Sequence, residues 1–299
     1  IGTLCTVMPI SHISKLTGLS WDTVKSIHKT SLYKKYKNRD ISQLRRIAID
    51  EFYLGKRQKF ITLVMDLDTG AIVHIGKSKS KKALKGFWRR LKRSKAKIKA
   101  VSTDMASGYI WEVSEKLPNA VLVLDHFHLV KWFNDKLTKL RRELYKEAEK
   151  MEKDVLKGVR WLLLKNPENL KETKEKNERK QLEQALELNK PLATAYYMKE
   201  RLRLLFKCND RQAAADELKA WCEEAEVSGI KILKKAANRI RTWRNHILNW
   251  YEHKISSGKM EATNAKIRTL QKKAYGYRDK QYFKLRLFNL HNEKYALFG

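Results

Sequence analysis

Residues 45–55 read RRIAIDEFYLG, and the reading of the fold turns on this run. Its apolar, β-branched character marks a strand, yet Asp50 stands inside it. An ionised group there is costly unless it is paired or binds a metal, and helix capping cannot account for it. Glu51 points to the opposite face by the two-residue period of a strand, so the two neighbours are not expected to share a metal.

Working outward, KFITLVMDLDTG (59–70) and AIVHIGKS (71–78) are further short strand-like runs. With 45–55 they make a three-stranded meander, punctuated by Asp68-Thr69-Gly70. Asp66 and Asp68 belong to that turn chemistry. An amphipathic helix follows, with Leu84, Phe87, Trp88 and Leu91 at i, i+3, i+4, i+7 spacing. Next come IKAVSTD (98–104), a helix from about Gly108 to Leu117, and AVLVLDHFH (120–128). This order of elements describes an α/β fold, a mixed sheet with helices on its faces. Residues 131–250 show Leu, Trp and Ala at helical spacing and no convincing strand, as a long all-helical insertion would. No fixed-period repeat is apparent, which argues against a solenoid.

Upstream, ISHISKLTGLSWDTVKSIHK (10–29) reads as two short helices about a turn. Ile13 and Leu16 give one apolar face and Gly18 permits the turn. Ser20 can cap a second helix carrying Val24 and Ile27. This is helix-turn-helix spacing, which any small helical hairpin shares. Trp21, Thr23, Lys25, Ser26 and Lys29 are left for its outer face, and YKKYKNRD (33–40) reads as a basic linker.

The chain has 299 residues, long enough for one large domain or two to three smaller ones, and its 42% hydrophobic content supplies a core. Its formal charge is +32, from 65 basic and 33 acidic residues. Such a field attracts polyanions, and nucleic acid is the first expectation. A membrane is the competing partner, but no run approaches ~18 apolar residues and no signal peptide opens the chain. Cys5, Cys208 and Cys222 lack C-x-x-C spacing, which suits a reducing cytoplasm and neither a disulfide framework nor a Cys-rich zinc site. A chain that begins at Ile1 leaves room for an upstream module. The charge is uneven: residues 77–99 carry twelve basic residues and no acid, and residues 231–244 carry six and none. Lys81, Lys82, Arg89 and Arg90 lie in the first of these candidate DNA-facing surfaces. Residues 168–187 mix both signs, as a solvated scaffold helix does.

Two further acids follow strands. Asp104 comes directly after KAVST, and Asp125 ends the next strand with His128 three residues on. Strand ends beside a crevice are common ligand positions, although either acid could equally cap the helix that follows. His74, His126 and His246 read as packing or pairing groups. Downstream, Lys259–Lys273 holds five basic residues and the single acid Glu261. On a helix, Met260, Ile267, Leu270 and Ala274 form the buried stripe. Glu261, Asn264, Arg268 and Lys272 form a second stripe ~100° away. Asn264 and Arg268 can reach phosphate or steady the carboxylate, with Lys266 and Lys273 adding basic charge. A salt bridge from Glu261 to a neighbouring Lys is the plainer alternative and would contribute little. Scattered acids in a basic field favour metal-assisted phosphoryl chemistry, with two Mg²⁺ (or Mn²⁺) on oxygen ligands.

The order AIDEF, VSTDMASGYI, VLDHFHLVK and GKMEATNAKIRTLQKKAYGYRDKQYFKLRL resembles bacterial insertion-sequence transposases of the ISL-three family, from about Ile10 to the end. The resemblance implies an RNase H-like core with a DDE triad on Asp50, Asp104 and Glu261, which would bind two Mg²⁺. Asp125 and His128 are similar to a D-x-x-H element of related transposases and rank below the triad as a secondary site. The implied organisation is a helix-turn-helix segment and linker at 1–40, the core's first part at 41–130, the helical insertion at 131–250 and the core's last part at 251–299. The expected function is metal-dependent cleavage at element ends and strand transfer, by a homo-oligomer acting on terminal inverted repeats and target DNA in the bacterial cytoplasm, at the nucleoid. An RNase H-like nuclease or resolvase without strand transfer is one rival, and a non-catalytic transposase-derived DNA-binding protein is another. A helical RNA-binding protein is a weaker third, since no aromatic RNP-like strand motif appears.

Overall fold

The computed structural model describes residues 1–299 except 57, 58, 105, 106, 174–176, 257 and 293–299, and the side chains of 59 and 107. Two compact units divide the chain. One comprises Ile1–Val123 with Ile255–Gly299, the other Leu124–Lys254.

The first unit opens with helices α1 (Ile10–Thr17) and α2 (Trp21–Tyr36). Gly18 ends α1 at φ 69°, and the Ser20 side chain accepts from the Thr23 amide to start α2. Here the expectation needs correction, because α2 runs on to Tyr36, into the first half of the segment read as a linker. Its buried positions are Val24, His28, Leu32 and Tyr36, an i+4 series that faces α13 (Lys280–Asn289) near the C-terminus. His28 Nδ1 lies 2.8 Å from the Tyr282 hydroxyl, and the Tyr36 hydroxyl donates to Asn289 Oδ1 at 2.6 Å. Leu16 and Ile27, expected inside, are 66% and 41% exposed.

The sheet follows as β1 (Arg46–Gly55), β2 (Lys59–Asp66) and β3 (Ile72–Lys77), an antiparallel meander as the runs predict. Asp66 accepts from the Asp68 amide and the Thr69 hydroxyl, confirming its turn role. A short 3-10 helix Lys81–Leu84 leads into α3 (Lys85–Arg93), then β4 (Ala100–Thr103), α4 (Ser107–Lys116) and β5 (Val121–Leu124). The strand order is β3-β2-β1-β4-β5, with β4 parallel to β1. Ile47, Ile49, Val64, Leu84, Phe87 and Val101 meet in one buried cluster.

The second unit contains α5 (His126–Glu147), α6 (Lys150–Gly158), α7 (Glu178–Leu188), α8 (Lys190–Leu204), α9 (Arg211–Val227), α10 (Lys231–Leu248) and α11 (Trp250–His253). Among its described residues beyond Leu124 there is no strand, only a bridge between Glu172 and Asn177. Trp221 anchors this unit: it is fully buried, donates to the Met198 carbonyl at 2.8 Å and meets Phe133 edge-on at 5.5 Å.

The chain then returns to the first unit with α12 (Gly258–Lys273) and α13. Met260, Ile267 and Leu270 are buried as expected. Ala274 is exposed, because α12 stops at Lys273. Tyr275 turns left-handed (φ 48°) and the Gly276 amide closes the end on the Gln271 carbonyl at 2.9 Å, the hydrogen bond of a Schellman cap. Among the described residues, no helix is long and apolar enough to cross a membrane.

Candidate active site

Asp50 is half-buried in β1, and what meets it comes from far along the chain. Asn264 Nδ2 on α12 donates to Asp50 Oδ2 at 2.8 Å. One turn later, the Arg268 guanidinium lies 5.9 Å from the ring centroid of Phe52. Four helical residues rise ~6 Å and two strand residues ~6.6 Å, so α12 runs along β1 and covers its even-numbered face. Lys259 ties the start of α12 to the sheet by donating to the Leu67 carbonyl at 2.7 Å. The second Asp50 oxygen accepts from the Glu51 amide at 2.7 Å.

Asp104 is the residue after β4. The parallel register pairs Ile49 with Thr103, so β4 ends next to the part of β1 that carries Asp50 and Glu51, and the Asp104 charge acts on Glu51 and Tyr109. Glu261 precedes Asn264 by three residues, which puts the two on one helix face with Cβ atoms ~5–6 Å apart. Glu261 is exposed. Among the described residues it forms no ion pair, so the salt-bridge explanation lacks a partner. Its place in the first turn of α12 does suit the helix dipole. Thus one strand and the two elements flanking it carry the three acids.

Among the described residues, no three His, Cys, Asp or Glu side chains stand close enough together to hold a metal ion. The donor chemistry still fits Mg²⁺, which takes one or two carboxylates and completes its shell with water and substrate phosphate. The Asn264 amide supports this fit. With Nδ2 on Asp50, its Oδ1 is a buried acceptor with no hydrogen-bond partner among the described residues, an oxygen available to a cation or its water.

Sequence reasoning set Glu51 aside, and the structure gives it a setting. Glu51 faces away from α12 and bonds the Tyr109 hydroxyl of α4. That hydroxyl lies 2.9 Å from Thr62 Oγ1. Burial raises the Glu51 pKa, Tyr109 and Lys79 oppose the rise, and Asp104 and Asp50 add to it through their negative charge. Burial likewise pushes the Tyr109 hydroxyl well above its ordinary range. The available signal was the acid's position directly opposite Thr62 in the meander.

The remaining candidates separate by environment. Asp125 is fully buried at the N-terminus of α5, accepting from the Phe127 amide at 3.4 Å, with His126 Nδ1 also at 3.4 Å. His128 is half-buried, edge-on to Phe127. Both belong to the helical unit. The Thr23 hydroxyl bonds Ser20, while Lys25 and Lys29 pair with Asp279 at 3.6 and 3.0 Å. Arg90 turns inward, donating to the carbonyls of Val73 and Arg39, both at 3.1 Å. Asn264 and Arg268 meet the β1 face; Arg268, Lys81, Lys82, Arg89, Lys272 and Lys273 are exposed and Lys266 is half-buried. His74 packs against Phe87 and bonds the Ala83 carbonyl, and His126 packs against Phe206 and Trp250.

Fold and site together define an α/β protein in which a distant helix is brought back onto the central strand of a mixed sheet, its Asn264 bonded to Asp50. The chain belongs to the ISL3 family of transposases: the family profile, described as Transposase, matches residues 47–287. The transposase for insertion sequence element IS1001 of Bordetella parapertussis is 30% identical over 285 residues, covering 93% of this chain and 68% of its own length. The transposase for insertion sequence element IS1557 of Mycobacterium tuberculosis is 29% identical over 294 residues, covering 90% of this chain and 65% of its own length. The chain thus spans about two thirds of the length of these relatives.

Proposed function

We propose that this chain is a DDE transposase with an RNase H-like core, cleaving DNA at insertion-sequence ends and joining the 3′-hydroxyl to target DNA. Asp50, Asp104 and Glu261 are its acids, and they would hold two Mg²⁺ (or Mn²⁺). When bound, such ions activate the attacking oxygen and stabilise the leaving one. The protein's own part is placement. Asn264 fixes the Asp50 carboxylate through a charge-assisted hydrogen bond, and α12 carries Glu261 one turn before Asn264. Exposed Lys81, Lys82, Arg89, Lys272 and Lys273 hold the DNA backbone, so binding weakens steeply with salt. Helices α1 and α2 read the terminal repeats, with Lys25 and Lys29 exchanging Asp279 for phosphate. The helical unit holds ends or a second protomer, and Asp125 and His128 form a secondary site. Such a protein acts at the nucleoid in the cytoplasm.

The observation that carries this reading is the 2.8 Å bond from Asn264 to Asp50, which brings the helix bearing Glu261 onto the strand bearing Asp50. Protein, Mg²⁺, a labelled element end and a target plasmid test it. Cleaved and joined products are expected from the native chain and neither from Glu261→Gln. Cleavage without joining would reject strand transfer, and undiminished activity of Glu261→Gln would reject the assignment of the acids.

A further inference from the structure

Beyond the end of β4, on the face of β1 opposite α12, aromatic rings and lysines lie together at the surface. Tyr53 and Phe60 are cross-strand partners with ring centroids 5.1 Å apart, and Tyr53 is 52% exposed. Lys79 Nζ sits 4.9 Å from the Phe60 centroid. Two residues on, Lys81 Nζ sits 3.6 Å from the ring of Trp111, which is also 52% exposed. Two residues span at most ~7 Å of chain, so one short basic segment backs both rings. Glu51 and Thr62 continue this face inward from Tyr53 and Phe60. Glu51 and Lys79 interact through their charges, which ties this face to the lysine side of the patch.

Cation–π pairing at exposed sites gives only ~0.5–1 kcal/mol, so these lysines stay free to meet an anion. Lysine charge with open aromatic faces matches a partner that is both anionic and planar. The patch also lies beside the chain's longest acid-free basic run, residues 77–99. Bases inside a duplex are already stacked on each other, so the rings select unpaired ones.

We propose that Tyr53, Phe60 and Trp111, with Lys79 and Lys81, form a stacking platform for unpaired DNA bases on the face of β1 opposite α12. The inference rests on the transposase reading, because cleavage at an element end is what would leave a separated strand there. Lys79 and Lys81 meet the phosphates while the open faces of Tyr53 and Trp111 take bases, a combination used for single strands without sequence preference.

The test uses the full chain in chelator-containing buffer, with fluorescence anisotropy on an oligothymidylate of about twelve nucleotides and an abasic strand of equal length. The intact strand is expected to bind between about fivefold and about 150-fold more tightly, the range for stacking one base. Trp111→Ala and Tyr53→Ala should each shrink that preference with an unchanged melting temperature, since both rings are exposed. Lys81→Ala should weaken both strands alike. Equal binding of intact and abasic strands by the native chain overturns the platform, as does a preference untouched in both aromatic variants. Duplex cleavage with Mg²⁺ is scored separately. A chain that cleaves without discriminating loses only the platform, and one that discriminates without cleaving loses only the catalytic reading.

Discussion

Asn264 is the most informative single position. Its amide donates to Asp50 at 2.8 Å, and a hydrogen bond to a charged group contributes ~1.5–3 kcal/mol. Both residues are half-buried, which favours the lower end, about 1.5 kcal/mol. The rest of α12 stays anchored by Met260, Ile267 and Leu270 and by Lys259 on the Leu67 carbonyl. Asn264→Ala should therefore fold and lose about 1.5 kcal/mol of stability in thermal or urea unfolding. Asn264→Asp should do worse without divalent ions, because it sets a second carboxylate against Asp50. Added Mg²⁺ should raise its melting temperature more than that of the native chain. An Asn264→Ala protein as stable as the native one, together with an Asn264→Asp protein indifferent to Mg²⁺, would refute the reasoning.

Other positions give sharper contrasts. Arg89 is exposed while Arg90 bonds two backbone carbonyls. Arg89→Ala should lower the slope of log K against log[salt] for DNA binding by ~0.9 at constant stability, and Arg90→Ala should chiefly lower the melting temperature. Burial lowers the pKa of His28 and of His74 to about 4. Both folded values lie below the unfolded 6.5, so their stabilisation is complete above that pH and is lost as pH falls toward 4. Between pH 7.5 and 5.5 each costs ~1.4 kcal/mol, and a flat stability profile across that range contradicts their burial as neutral rings. A Cβ on Gly76 would collide with the Ala83 carbonyl and stand 2.7 Å from the Ala83 side chain. Gly76→Ala should cost ~1–3 kcal/mol or more, seen as a fall in melting temperature.

The meander was legible because each strand is a short apolar run closed by turn residues, and β1 to β3 follow those runs closely. Helix α2 was cut short because its packing series mixes a histidine and a tyrosine with Val24 and Leu32, among lysines that look like a linker. The end of α12 was missed by one residue because Tyr275, and not a glycine, takes the left-handed turn. At the candidate site, sequence named the acids but could not pair Asn264 with Asp50, since that contact joins residues 214 apart. Asn264 also lies between Met260 and Ile267, close to the packing stripe, where a polar residue asks for a partner. Arg90 looked like its exposed neighbours because only folding decides which guanidinium turns inward.

The central claim is that Asp50, Asp104 and Glu261 share one metal-binding locus. Fe²⁺ accepts the same oxygen ligands and, with ascorbate and peroxide, cuts the polypeptide near where it is bound. Mapping those cuts on the DNA-bound chain tests the claim without relying on turnover. Cuts clustered around residues 50, 104 and 261, competed by Mg²⁺ and lost in Asp50→Asn, are the predicted result. Cuts that spare the start of α12, or that persist unchanged in Asp50→Asn, would contradict it.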